Sequence, residues 1–335
     1  MISSSDTGDL LPLGKMFASL SPAMGRRLRY MKKPNTTFEV TSRAIQGRLL
    51  LRPSKELNRI ILGVLGRFLE RYPGILLHLV VVASNHIHLL LTAPCVELLA
   101  DFMRDVNSSL AREAGRLHRW KEKFWGRRYT MIAVEDENEA DMLKRAVYIL
   151  SHGCKEGLVL RPRDWPGVNC IEAVTRGKKL VGTWYDRTKE YETARAGIEV
   201  RPGEFAEQVE VRLSPLPCFE GLSEREQRAR YQAMVADIER ETRKKFGRGG
   251  RRVLGVRGIL KQHPHRRPRK IKKKPAPLFH CSNPDKWREY RDDYRWFVQL
   301  YQVASKRLRS GDLSVSFPAN CFPPRLAFSG PDPPG

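Results

Sequence analysis

Two histidines separated by one apolar residue, Asn85-His86-Ile87-His88, lie inside the apolar run 79–91. Side chains alternate along a strand, so His86, His88, Leu90 and Thr92 share one face and Ile87, Leu89 and Leu91 the other. Two imidazoles side by side on a rigid strand supply half of a metal site. The plain alternative is a pair of half-buried strand histidines. Tyr148 and His152 stand four apart in a stretch that reads as a helix, a spacing that puts both on one face. The apolar stripe of that helix is expected at Ala140, Leu143, Val147, Leu150 and Cys154, leaving Tyr148 and His152 off it beside Asp141.

These residues stand in a recognisable pattern. The chain resembles the HUH superfamily of single-strand DNA nucleases, and more narrowly the single-tyrosine transposases and their REP-associated relatives. That family carries a hairpin ending in Asn-His-apolar-His and then Leu-Leu. Downstream it has a helix reading Tyr-Ile-x-x-Asn-Pro-x-x-x-Gly-Leu-Val. Here Tyr148-Ile149-Leu150-Ser151-His152-Gly153 runs on to Gly157-Leu158-Val159. Phe124-Trp125-Gly126-Arg127-Arg128-Tyr129 is similar to the family's Trp-x-Arg-Arg-Tyr strand start. The resemblance spans 37–169, with the three motifs in the family's order. Ser84 stands where the family has Pro, and His152-Gly153 where it has Asn-Pro.

The resemblance implies Tyr148 as the catalytic nucleophile and His86, His88 and His152 as ligands of one divalent metal, Mg²⁺ or Mn²⁺. Histidine as the third ligand favours transition metals over the family's amide oxygen. Gly153 is expected to end the helix as Pro would. The implied reaction leaves a 5′-phosphotyrosine and a free 3′-hydroxyl. The implied partner is DNA, single-stranded with hairpins, with a homodimer as one arrangement and no membrane. Tyr129 is the rival tyrosine, but has no histidine one turn away. His118, near a helix end without a partner motif, reads as structural.

The elements that must position these groups are legible in outline. Strands are expected over 37–45, with Phe38 and Val40 on one face, and over 75–82, the His strand and 129–134. Helices are expected over 54–72, 96–117 and 138–152. The first has Ser54 as N-cap and Pro73-Gly74 as stop. The first six elements give a βαββαβ, ferredoxin-like α+β fold, an antiparallel sheet with two helices on one face. The histidine face is left for the added tyrosine helix.

With 335 residues the chain suggests two domains, a catalytic one over 36–170 and a basic, mainly helical C-terminal region over 171–335, after a flexible basic leader over 1–35. Lys and Arg number 61 against 37 Asp and Glu, and the net charge of +24 points to nucleic acid or an anionic membrane surface. No apolar run reaches the length of a membrane span. There is no signal-peptide core, and the six cysteines lack Cys-x-x-Cys spacing, so a reduced, cytoplasmic, nucleoid-associated protein is expected.

The charge is concentrated. Residues 240–274 hold sixteen Lys and Arg against one acid, with glycines and prolines that break a continuous helix. Within that run, Arg251, Arg252, Lys270, Lys272 and Lys273 are candidate DNA-backbone contacts; a solvated linker is the alternative. Arg127 and Arg128 either clamp flanking phosphates or pair with surface acids. The arm 26–33 either touches phosphates or is solvated. Helices are expected over 222–246 and 283–309. The aromatic stripe of the last (Trp287, Tyr290, Tyr294, Phe297, Tyr301) reads as core rather than as base-stacking surface.

Three functions follow. The first is a metal-dependent single-strand DNA endonuclease and strand transferase of the transposase type. The second is a catalytically weak or inactive, transposase-derived protein that binds DNA hairpins. The third is a His-x-His metal hydrolase unrelated to DNA, which the basic segment argues against.

Overall fold

A computed structural model describes residues 27–135, 138–247, 252–268 and 276–324. In chain order the elements are β1 (Thr36–Arg43), α1 (Lys55–Arg71), β2 (Leu76–Ala83), β3 (His86–Ala93), α2 (Val96–Leu117), β4 (Thr130–Val134) and α3 (Glu139–Leu150). There follow α4 (Ile171–Arg176), β5 (Leu180–Tyr185), α5 (Arg187–Arg195), β6 (Ala206–Val211), α6 (Glu224–Phe246), α7 (Gly255–Lys261), β7 (Phe279–His280) and α8 (Pro284–Arg309). The fold is α+β, and its first six elements are the expected βαββαβ.

The main sheet runs β2-β3-β1-β4-β7. Antiparallel pairing of β1 with β3 sets Thr41 opposite His88 and Glu39 opposite Leu90. The sheet is not antiparallel throughout as expected, because β7 joins β4 in parallel. Two residues are too few to leave a period-2 signature, so this fifth strand was invisible in the sequence. The free edge of β2 is covered: Val82 N donates to Val168 O (2.8 Å) and Cys170 N to Val80 O (3.1 Å). Those bonds satisfy backbone groups that would otherwise template pairing with another chain.

Local signals account for the main helices. In α1 the Ser54 hydroxyl accepts from Leu57 N at 3.1 Å, capping an orphan amide. Leu57, Ile60, Ile61, Val64, Leu65 and Phe68 recur at helical spacing, and all are buried. In α6 Ser223 and Glu226 form a reciprocal capping box.

The tyrosine helix differs from expectation in two ways. Its buried residues are Asp141, Met142, Ala146, Ile149 and Leu150, so the stripe is rotated from the one read in the sequence, and Ala140 is exposed. The helix contacts β2, β3 and β4 and also α6, a second neighbour that the sequence could not place. It also ends at Leu150, with Ser151 as C-cap and His152 in the following turn. Gly153 adopts φ +89°, where a Cβ would meet Trp165 Cε3 at 3.1 Å. Glycine is therefore required there for its backbone as well as for space.

The stretch after 169 carries more structure than its sequence pattern shows. Strands β5 and β6 pair antiparallel and lie on α1. A Cβ on Gly63 would sit 2.1 Å from the Thr183 carbonyl carbon, and one on Gly182 would sit 2.0 Å from Gly63 N. Two glycines face each other so that helix and strand backbones touch.

The C-terminal half is built into the first half. The Tyr30 ring packs on Tyr290, Tyr294 and Phe297 of α8, with centroids 5.4, 5.6 and 4.9 Å away. Lys32 pairs with Glu289 and Asp293 at 2.6 and 2.7 Å. The described part of the leader is thus held against α8 by apolar and ionic contacts. Within 252–268, Leu254 N donates to Gly157 O and Leu49 N to Arg266 O. Arg48 Nη1 donates to His265 O at 2.6 Å. This part of the basic run is docked on the first half of the chain. Arg251, Lys270, Lys272 and Lys273 lie outside the described residues. No helix among the described residues is long and apolar enough to cross a membrane.

Candidate active site

Strand alternation points His86 and His88 to one face, and the end of α3 brings Tyr148 and His152 over it. The His88 and His152 ring centroids are 4.2 Å apart, His86 and His88 4.8 Å, and His86 and His152 5.5 Å. One ligand atom from each of the three lies within 4.8 Å of the others. The Tyr148 ring stands 5.3 Å from that of His152 and 6.0 Å from that of His88, and is 39% exposed. The histidines are recessed while the tyrosine faces solvent, so a large substrate can reach the phenol.

Each imidazole has its Nδ1 beside oxygen atoms. His88 Nδ1 lies 2.8 Å from Glu39 Oε1, His86 Nδ1 2.6 Å from Asn85 Oδ1, and His152 Nδ1 3.1 Å from the carbonyls of both Tyr148 and Ile149. The Glu39 carboxylate can only accept, so His88 carries Nδ1–H and keeps the Nε2 lone pair that a metal ligand needs. His152 Nδ1 also meets the Lys155 ammonium at 3.1 Å and His86 Nδ1 the Arg43 guanidinium at 3.5 Å, both of which donate. Burial disfavours the charged form of His88 and His152. The pKa of His88 is lowered, burial outweighing the Glu39 carboxylate. That of His152 is lowered to about 2, by burial first and then by His88 and Lys155.

Glu39 lies beneath the cluster, 4% exposed. Its Oε2 accepts from His280 Nε2 at 2.9 Å and pairs with Arg145 Nη1 at 3.2 Å. Burial pushes its pKa up, but the bonds to His280 and His88 and the Arg145 charge outweigh it and hold the group ionised. The Arg145 guanidinium also lies over the Tyr148 ring at 3.8 Å, and Lys155 Nζ lies 3.2 Å from the ring centroid. The phenol's pKa is nevertheless raised, by burial first and by Glu39, with Arg145 and Arg43 opposing.

Of the residues singled out in the sequence, the fold gathers His86, His88, Tyr148 and His152. Arg127, Arg128 and Arg252 are exposed, and Arg128 Nη2 donates to Arg27 O at 2.7 Å. Tyr129 is buried under the Arg29 guanidinium, and its pKa is pushed up to about 12 by burial. His118 is partly buried, with a pKa lowered to about 4 by burial and nearby cations. Sequence reasoning missed Glu39, Arg145, Lys155 and His280. Glu39 had a signal, an acid on the same strand face as Thr37 and Thr41. Arg145 had one too, three residues before Tyr148. His280 had none.

Residues 55–151 match the model of the family described as "Transposase IS200 like". No curated protein matches the chain. Among solved structures, one similar chain is a REP-associated tyrosine transposase bound to a REP hairpin. It is 20% identical with a TM-score of 0.39, over 46% of this chain and 87% of that one. Another is a proposed transposase from Deinococcus radiodurans R1, 17% identical with a TM-score of 0.25, over 36% of this chain and 93% of that one. Over the stretch that carries His86, His88 and Tyr148, this chain is therefore similar to the IS200-like transposases.

Proposed function

We propose that the protein is a metal-dependent, single-strand DNA endonuclease and strand transferase of the transposase type, with Tyr148 as nucleophile. The observation that carries this reading is the meeting of His86, His88 and His152 beside a solvent-facing tyrosine. Three imidazoles whose ligand atoms lie within 4.8 Å of one another are a donor set that suits Mn²⁺ and other transition metals better than Mg²⁺. The bound cation would neutralise phosphate charge and orient the scissile group.

The chain's own residues supply the rest. Tyr148 Oη attacks phosphorus, forming a phosphotyrosine bond to the 5′ side while the bond to the 3′ oxygen breaks. The phenol loses its proton and the departing 3′ oxygen gains one, so the steps balance. An unperturbed phenol is about 0.1% ionised at pH 7, so that proton must be drawn off as the bond forms. Arg145 and Lys155, beside the ring, favour negative charge on the tyrosine and on a phosphate near it. DNA, single-stranded with hairpins, is the substrate class, and exposed Arg127, Arg128 and Arg252 are candidate phosphate contacts.

The test is incubation with a single-stranded hairpin oligonucleotide and Mn²⁺ or Mg²⁺. A covalent adduct mapping to Tyr148 is expected. Hairpin binding without any adduct in either metal would favour the inactive, DNA-binding alternative.

A further inference from the structure

We propose that Glu39, clamped by His280 and Arg145, is a positioning residue that holds His88 in the tautomer a metal ligand needs. The C-terminal part of the chain thereby completes a centre whose histidines lie in the first half. The inference rests on the reading of His86, His88 and His152 as ligands.

Glu39 Oε1 accepts from His88 Nδ1 at 2.8 Å. The other neighbour of that nitrogen is the Thr41 hydroxyl at 3.1 Å, which can donate or accept and so selects no tautomer. Only the carboxylate demands Nδ1–H and thereby frees Nε2. A carboxylate bonded to the far nitrogen of a ligating histidine also raises its basicity.

Glu39 is 4% exposed, and two groups hold its Oε2 in place. Arg145 comes from α3 and His280 from β7. Arg145 Nη1 also lies 3.1 Å from His280 Nδ1 and 3.0 Å from its Nε2, so the guanidinium, the imidazole and the carboxylate are in mutual contact. Strand β7 is itself pinned: His280 pairs with Val134 in the sheet, and Ser282 N and Oγ donate to Asp141 at 2.8 and 2.9 Å. Arg145 lies within the matched stretch 55–151, whereas Glu39 and His280 lie outside it.

The test uses the full chain with ¹⁵N-labelled imidazoles for NMR without metal, and Mn²⁺ titration followed by electron paramagnetic resonance. Wild type is expected to show His88 protonated on Nδ1 and to bind Mn²⁺. Glu39→Gln should weaken Mn²⁺ binding about tenfold or more. His280→Ala should weaken it to a lesser degree. His280→Asn, whose amide can donate to Oε2, should restore it to within about twofold. In the Glu39→Gln background, His280→Ala should add nothing. A merely structural role would lower the melting temperature while leaving the Mn²⁺ affinity of folded protein unchanged. Equal affinity in wild type and Glu39→Gln, with His86→Ala defective, would overturn the positioning role alone. Equal affinity in wild type and His86→Ala would overturn the ligand reading. If Glu39→Gln does not fold, the His280→Ala and His280→Asn pair decides: equal affinity in both sinks the proposal.

Discussion

The His152 ring lies 4.2 Å from that of His88, although His152 falls beyond the last residue of α3. Its Nδ1 sits at the carbonyls of Tyr148 and Ile149, so the end of the helix orients the ring. If His152 is a ligand, His152→Ala should weaken metal affinity about 10–100-fold and slow cleavage, with excess Mn²⁺ partly rescuing it. His152→Asn and His152→Gln should retain more activity than His152→Ala, because an amide oxygen can still ligate. Identical behaviour of all three, with metal binding intact, would reduce His152 to a helix-end residue.

Tyr148→Phe should abolish cleavage and the covalent adduct while hairpin affinity stays within a few-fold, since only the nucleophilic oxygen is removed. Tyr129→Phe should retain most activity, because that phenol is buried and lies under Arg29. Single-turnover assays on both variants check this; a dead Tyr129→Phe beside an active Tyr148→Phe would reverse the assignment.

Stability should fall with acid in a window set by buried histidines. His78 is 2% exposed, with Nε2 2.8 Å from the Thr92 hydroxyl, and burial lowers its pKa to about 4. A folded-state pKa below the unfolded one means the stability is fully present above about pH 6.5 and is lost as pH falls through about 4. His78 alone can contribute a slope of at most about 1.4 kcal/mol per pH unit in that window. Urea unfolding of wild type and His78→Gln at pH 7, 6 and 5 should show a shallower pH dependence in the variant. The same dependence in both would assign the loss to other groups, such as His118.

Hairpin binding should be strongly salt-dependent. Each phosphate contact contributes about −0.7 to the log–log salt slope on single strands. Arg252, Arg257, Lys261, Arg266 and Arg267 are exposed on the docked segment. Their joint replacement by Gln should make the slope visibly shallower without undocking the segment, whose backbone bonds remain. An unchanged slope would place the phosphate contacts elsewhere.

Gly63→Ala should destabilise the protein by about 1–3 kcal/mol or more, because its Cβ would meet strand backbone at 2.1 Å. Gly66→Ala should cost less, since its nearest neighbour is the Val209 side chain at 2.7 Å, which can turn aside. Denaturation midpoints of the two variants check the order.

Short-range periodicities made much of this protein legible in advance. Alternation along β3 set His86 and His88 on one face, and a spacing of four linked Tyr148 to His152. Apolar recurrence and caps marked α1, α2, α6 and α8, because these signals act within a turn or a pleat. Only the tertiary structure decided which side of α3 is buried, since that depends on contact with α6 as well as the sheet. It alone joined His280 to Glu39, 241 positions apart, through a two-residue strand that has no period to detect. It also pressed Gly63 against Gly182, a contact made by absent side chains. Partners distant along the chain are selected by packing, and no local pattern encodes them.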